Sequence, residues 1–406
     1  MAPQHSVWTV MAALLGVYLG GMSTFLCLPV LAPAIAAELG LAPALAGLHT
    51  ALVYFGGLLS VPFSGALLKR FGGLRVCQMA LVGIGCGLLV ATLASPTLPL
   101  ALSGALLAAS SFLCGLSHGP VTASGSHLLA PRTPPSRMGL IFSLKQCGVP
   151  AGAMVVAALA PALTVAFGWR VGVWTMAALA FTVALALQPL RAALDADRAP
   201  AVPAGGRITG ALRDAAASLS LLRENAALRA VTLSGSAFGV SQFCFASFFV
   251  TWQVATLGTP LAEAGLRMAL AQAGGLIGRV AWGVVGDRTG AMRALAGCGI
   301  GAALSTLALA LAGPSWPGLL VSLVGIVLGA TAIGFNGVML AEAARVAPAG
   351  RVGAATGAMQ TVFSFTQIIM PAVFSGIVGL TGQYGAGFLL CTGCAAFGVW
   401  CLRRFW

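Results

Sequence analysis

Lys145 and Arg279 each stand inside a long apolar stretch, Lys145 eight residues beyond Arg137 and Arg279 eight residues before Asp287. If those stretches are helices, a rise of about 1.5 Å per residue sets both cations about 12 Å in from a charged end. In a hydrocarbon layer about 30 Å thick that is too deep for full snorkelling, and an unpaired charge there costs at least a few kcal/mol. The eight acids are Glu38, Asp195, Asp197, Asp214, Glu224, Glu263, Asp287 and Glu342, and all fall in loops, in the stretch 191–227 or at helix ends. The chemistry that fits two such cations is anion recognition, with the planar guanidinium suited to a bidentate carboxylate and the ammonium acting as a point charge. Two other placements stay open: Lys145 held neutral by burial, or either cation capping backbone carbonyls at a helix break near Pro150 or Gly278.

Polar residues inside the apolar stretches are the candidate hydrogen-bonding partners of a solute: Tyr18, Tyr54, His118, Gln146, Gln242, Asn336, Gln360 and Gln367. Each is equally able to join helices. His118 titrates near neutral pH when unperturbed, so it is either a proton carrier or an interhelical donor. The ten cysteines, Cys391 and Cys394 among them, lie almost entirely in apolar segments without a His or carboxylate cluster beside them. Packing is the expected role of the cysteines, and no metal, no cofactor and no enzymatic constellation is expected.

With 59% hydrophobic and 7% charged residues over 406, the chain reads as an integral membrane protein. Its apolar stretches have helix-spanning length, which selects a helical bundle over a barrel. Twelve are expected, from 7–36 to 384–403, six in residues 1–190 and six in 228–406. Residues 191–227 read as a linker whose later part, 208–227, suits an amphipathic surface helix. The net charge of +13 is unevenly spread. With the amino terminus placed in the cytoplasm, 17 of the 21 Lys and Arg fall on that side, so both termini are expected inside and nucleic acid is not an expected partner. The sparse Lys and abundant Arg, Ala and Gly suggest a bacterial source, hence an inner-membrane location.

Residues 283–293 carry G-x-x-x-D-R-x-G-x-x-R, and a degraded copy stands at 65–75; residues 46–75 match 264–293 at 12 of 30 positions. A second register, offset by 214, sets Arg137 to Gln146 against Arg351 to Gln360. The chain is two copies of one unit. The motif resembles the signature of the major facilitator superfamily, which places it after the second and eighth spans. Gly283, Gly286, Asp287, Arg288, Gly290 and Arg293 fit it fully, whereas the first copy keeps Gly65 and Arg70 but has Lys69 where the family has Asp. The resemblance implies twelve helices in two pseudo-symmetric bundles. The motif's glycines are expected to let helices approach closely, and Asp287 with Arg288 to latch a helix end. Glu342 and Arg345, spaced i and i+3, are expected to pair with each other or with Arg288.

Within the superfamily, the segments 143–150 and 334–342 resemble those of little-described bacterial members. Arg279 occupies a place where monocarboxylate and oxalate-type carriers hold a substrate-binding arginine. The segment Gly148-Val149-Pro150-Ala151-Gly152 resembles part of the antiporter motif of span five, without its Gly-Pro order, and is expected to be a helix bend.

The expected function is secondary transport of a small organic anion, a mono- or dicarboxylate, by alternating access around a midplane site, with proton coupling and anion exchange both open and a monomer in the bilayer as the working form. Efflux of neutral or anionic compounds is the rival within transport. A non-transporting membrane sensor is the rival of another class, weakened by the lack of an appended signalling domain.

Overall fold

The computed structural model describes residues 6–134, 137–196, 220–348 and 351–405, and all regular structure among them is helical. Twelve helices are long and apolar enough to cross a membrane: Val7–Leu39, Ala46–Phe71, Gly73–Ala91, Leu100–Arg132, Leu144–Phe167, Trp169–Leu194, Ala226–Leu257, Leu261–Thr289, Ala291–Leu311, Gly318–Arg345, Ala354–Thr381 and Tyr384–Leu402. They are called spans one to twelve. The expected amphipathic helix at 208–227 lies mostly outside the described residues.

The chain divides into two compact units: Met1–Leu41 with Leu52–Ile208, and Ala42–Ala51 with Thr209–Trp406. Within the second unit, the stretch 42–51 is tied down by a Thr50–Ser247 hydroxyl pair at 2.6 Å and by Ser375 donating to the Ala44 carbonyl. Span one is the most buried helix of the first unit and span seven of the second. Their cores differ. Around span one the packing is aliphatic, with Val10, Leu14 and Val17 against Leu74, Leu81, Leu128 and Ala180. Around span seven it is aromatic: Phe248 stacks on Phe374 at 4.1 Å, and Trp252 and Phe374 meet Phe388 edge-on at 5.7 and 5.3 Å. Side chains on the opposite faces, such as Leu185, Leu319 and Leu380, are exposed apolar groups of the kind lipid covers.

The twofold repeat read from the sequence recurs in the backbone. Gly72 and Gly290, 218 apart, both turn the chain with a left-handed φ, 89° and 94°. Arg137 and Arg351, 214 apart, both begin 30-residue helices with nearly the same dihedrals, φ −117° and −115°. Helix contact repeats too. A methyl added at Gly115 of span four would overlap the Val53 carbonyl of span two, and one added at Gly329 of span ten would overlap the Ala271 carbonyl of span eight. Val53 and Ala271 are themselves 218 apart. Gly274 and Gly278 on span eight, pressed on Ile326 and Ala330, extend the same seam.

This corrects the expectation for the signature glycines. Nothing lies within 4 Å of a methyl built on Gly65, Gly283 or Gly290. Of the motif glycines, Gly72 is pressed on Asp195 and Gly286 touches Val338, but the helix seams are made by glycines outside the motif, whereas Gly290 is needed for its φ. Gly115→Ile and Gly329→Ile are therefore expected to cost at least about 1–3 kcal/mol by overpacking, while Gly283→Ala leaves the fold intact; thermal unfolding and monodispersity of the purified variants decide.

Candidate functional site

Spans one, two and four of the first unit and span ten of the second are interrupted, and His118 and Asn336 sit at the interruptions. Span one runs Val7–Gly21, turns at Met22 and resumes as Ser23–Leu39. Ser23 secures the turn by donating to the Gly20 carbonyl at 2.6 Å. Span two passes through a tight turn at Val61–Phe63. Span four runs Leu100–His118, breaks at Gly119 and Pro120, and resumes as Val121–Leu129. Pro120 has no N–H, so the Leu116 carbonyl four residues earlier loses its helical donor. Span ten runs Gly318–Ala332 and resumes as Asn336–Arg345.

In the first unit, Lys145 is 2% exposed. Its ammonium donates to Ser126 Oγ at 3.0 Å and reaches the Thr122 carbonyl at 3.5 Å, just past the span-four break, with the Phe142 ring 5.3 Å away. Lys145 is thus held by a hydroxyl and, more loosely, by a carbonyl inside the resumed helix of span four, and not at Pro150. The helix Met138–Phe167 runs without interruption through Pro150. Gly148 and Gly152 form a small-residue face on which Tyr18 lies, with a methyl at Gly152 only 2.6 Å from the Tyr18 carbonyl. Tyr18 is 2% exposed, whereas Tyr54, His118 and Gln146 are half-buried. Tyr54 and His118 meet through Phe25, which the sequence reading did not single out: Phe25 lies 5.1 Å from the Tyr54 ring and 4.7 Å from the His118 ring.

In the second unit, Asn336 opens the lower half of span ten, donating to the Ile333 carbonyl at 3.0 Å and to Gln242 Oε1 of span seven at 3.1 Å. Two of the candidates thus hold each other across the break. Arg279 is half-buried on span eight. It follows Gly278, whose added methyl would strike Ala330, and the backbone of Gly278 lies beside Gly334 of the same break. Gln360 is exposed on span eleven. Glu342, 1% exposed, takes a two-point hydrogen bond from Arg345 at 2.6 and 2.5 Å. The pairing is with Arg345, not with Arg288. Asp287, Arg288 and Arg293 are exposed, and among the described residues Asp287 makes no hydrogen bond or ion pair.

An acid does latch a helix end, but in the first unit. Asp195, read from the sequence as linker, is 3% exposed and accepts from the backbone N–H groups of Leu74 and Arg75 at 2.7 and 2.9 Å. It caps span three beside Gly72, where the degraded motif copy carries Lys69 in place of an acid. No spacing rule joins residue 195 to residue 74; only the return of span six beside span three does. Gln78, one turn further in, donates to the Ala184 carbonyl and Gln188 and seals the same end.

Twelve apolar helices among the described residues of a twofold-repeated chain, some of them broken and carrying polar side chains inside, define an integral membrane carrier. The sequence matches the Major Facilitator Superfamily over residues 13–371, and the chain belongs to that family. It is therefore a secondary transporter. Among solved structures, a point mutant of the nucleoside transporter NupG is similar, at 13% identity, with 98% of this chain and 99% of that one covered and a TM-score of 0.79. At that identity the likeness is one of fold. No curated protein matches the sequence.

Asp195→Asn is expected to lower stability by about 1–2 kcal/mol through loss of a charged helix cap, whereas Asp287→Asn, at an exposed site, shifts it by less than about 0.5 kcal/mol. Thermal unfolding of the two purified variants side by side tests the contrast. Asn336→Ala, which removes one bond to span seven and one to the carbonyl before the break, is expected to cost about 1–2 kcal/mol in the same assay.

Proposed function

We propose that this transporter carries a small organic anion, a mono- or dicarboxylate, across a bacterial inner membrane, and that Arg279 grips the carboxylate. The observation that carries the reading is the placement of Arg279: a guanidinium about 12 Å inside span eight, half-buried, against the break of span ten where Asn336 and Gln242 also stand. A fixed planar fork beside uncharged hydrogen-bonding groups suits a carboxylate. Binding the anion stabilises one conformation over the other, the differential interaction that alternating access needs. The proton is the proposed coupling ion, and both termini are proposed to be cytoplasmic.

Lys145 is the second cation of the proposal and the weaker one, because it must leave Ser126 and Thr122 before it can meet a solute. That same commitment favours a second reading, in which the cargo is neutral and polar, as a nucleoside is for NupG. The motif residues Gly65, Arg70, Gly283, Asp287, Arg288, Gly290 and Arg293, with Glu342 and Arg345, are proposed to set the motion of the helix ends and not to bind cargo.

Thermal stabilisation of the purified protein by carboxylates, sulfonates, amino acids, nucleosides and cationic drugs separates the readings. Carboxylates are expected to stabilise wild type, and Arg279→Gln to weaken them about tenfold or more, the loss of one charge-assisted pair; Lys145→Gln is expected to have the smaller effect. Full carboxylate affinity in Arg279→Gln would remove that residue from the site. Stabilisation by nucleosides alone would establish the neutral cargo.

A further inference from the structure

We propose that Phe25, Tyr54 and His118 form a ring-binding subsite in the first unit, so that the cargo carries a planar aromatic or heteroaromatic ring. The inference rests on the reading of the chain as a solute carrier but not on the charge of the cargo. The three residues come from three spans. Phe25 follows the break of span one, Tyr54 lies on span two, and His118 is the last residue before the break of span four. Phe25 tilts against Tyr54 at 34° and meets His118 edge-on at 83°, with centroids 5.1 and 4.7 Å apart. Those separations are in the range of attractive ring pairs.

Two features set this cluster apart from core packing. The aromatic core of the second unit shows what packed rings look like in this chain: Phe238, Phe248, Phe374 and Phe388 are all 0% exposed. Phe25, Tyr54 and His118 are only half-buried, Phe25 packing with one side against the core around span one, which also holds the buried Tyr18. The second feature is His118 itself. Its Nδ1 is buried against Gly21, and among the described residues neither ring nitrogen has a hydrogen-bond partner, which leaves Nε2 as the nitrogen open to a ligand. An imidazole inside a bilayer without a partner is costly, and a cargo that supplies one removes the cost.

Backbone chemistry adds acceptors on the same helices. Pro29 and Pro120 carry no N–H, so the carbonyls of Phe25 and Leu116 lack the donors that an unbroken helix provides. Ring faces, one open imidazole nitrogen and two carbonyls deprived of a helical donor by proline together match a flat solute with polar atoms on its rim, and a saturated chain uses none of the ring faces.

The test compares benzoate with cyclohexanecarboxylate, and nicotinate and nicotinamide with acetate, by thermal shift and calorimetry on the full chain, in wild type, Phe25→Leu, Tyr54→Leu, the double variant and Phe25→Tyr. Benzoate is expected to bind more tightly than cyclohexanecarboxylate. Each Leu variant is expected to reduce that preference about threefold to tenfold, the double variant to erase it with acetate unaffected, and Phe25→Tyr to retain it. Equal binding of benzoate and cyclohexanecarboxylate by wild type, a preference that survives in the double variant, or no binding of any ring-bearing probe would each overturn the subsite. Arg279→Gln keeps the two proposals apart: loss of the acids with nicotinamide retained upholds the ring subsite and the anion reading together, while retention of the acids sinks the anion reading alone.

Discussion

A helix inside hydrocarbon must satisfy its own backbone, because no water is there to do it, and every break in a helix therefore needs a compensating group. That constraint organises the interior polar residues of this chain. Ser23 takes the carbonyl before the turn of span one and Asn336 takes the Ile333 carbonyl, while Ser124 adds its hydroxyl to the Pro120 carbonyl that already accepts the Ser124 N–H, and Lys145 packs on the helix that resumes there. The breaks are kept at a cost that continuous helices avoid. Their positions in spans one, four and ten are also where Phe25, His118, Asn336 and the neighbour of Arg279 stand.

Breaks are tolerable only because the helices around them are held close. In each unit glycines press their backbone on carbonyls of neighbouring helices, with Gly115 on Val53 and Gly329 on Ala271 as the matched pair. Between lipid-covered helices there is little hydrophobic force to exploit, so dispersion at short backbone separation is what binds them. Placed beside the interrupted halves of spans four and ten, these seams fix the helices on which the broken segments hinge. Rigid seam and irregular segment thus lie on the same helix, within a few residues of each other.

The features legible from sequence were those that repeat or that depend on composition. Twelve spans follow from apolar length, and the two copies follow from offsets of 218 and 214 that reappear as matched dihedrals at Gly72 and Gly290 and at Arg137 and Arg351. Pairings between distant spans were not legible. The partner of Lys145 lies 19 residues earlier on a helix whose break at Pro120 carries no signal of direction, and Phe25 is an apolar residue in an apolar span. Glycine was legible in kind but not in role: the signature drew notice to Gly65 and Gly283, while close approach belongs to Gly115, Gly274, Gly278 and Gly329. Glu342 and Arg345 were readable because their pairing is local, one turn apart on one helix.

The two units also solve one shared problem differently. Each has a tight glycine turn between the second and third helix of its repeat, and each must then start a helix whose first N–H groups have no partner. At Gly72 the answer is Asp195, brought back by span six and buried against the Leu74 and Arg75 N–H groups, where its charge also favours the positive end of the helix dipole. At Gly290 the acid is local, Asp287 in the preceding turn, exposed and without a bond among the described residues. A buried cap from a distant helix ties the end of span six to the start of span three. An exposed acid within the turn makes no such tie, so the end of span nine is held by its backbone and its apolar packing. The motif copy that departs from the pattern is therefore the one whose helix end is most firmly fixed, because the lost acid at residue 69 is replaced by an acid 126 residues further along the chain.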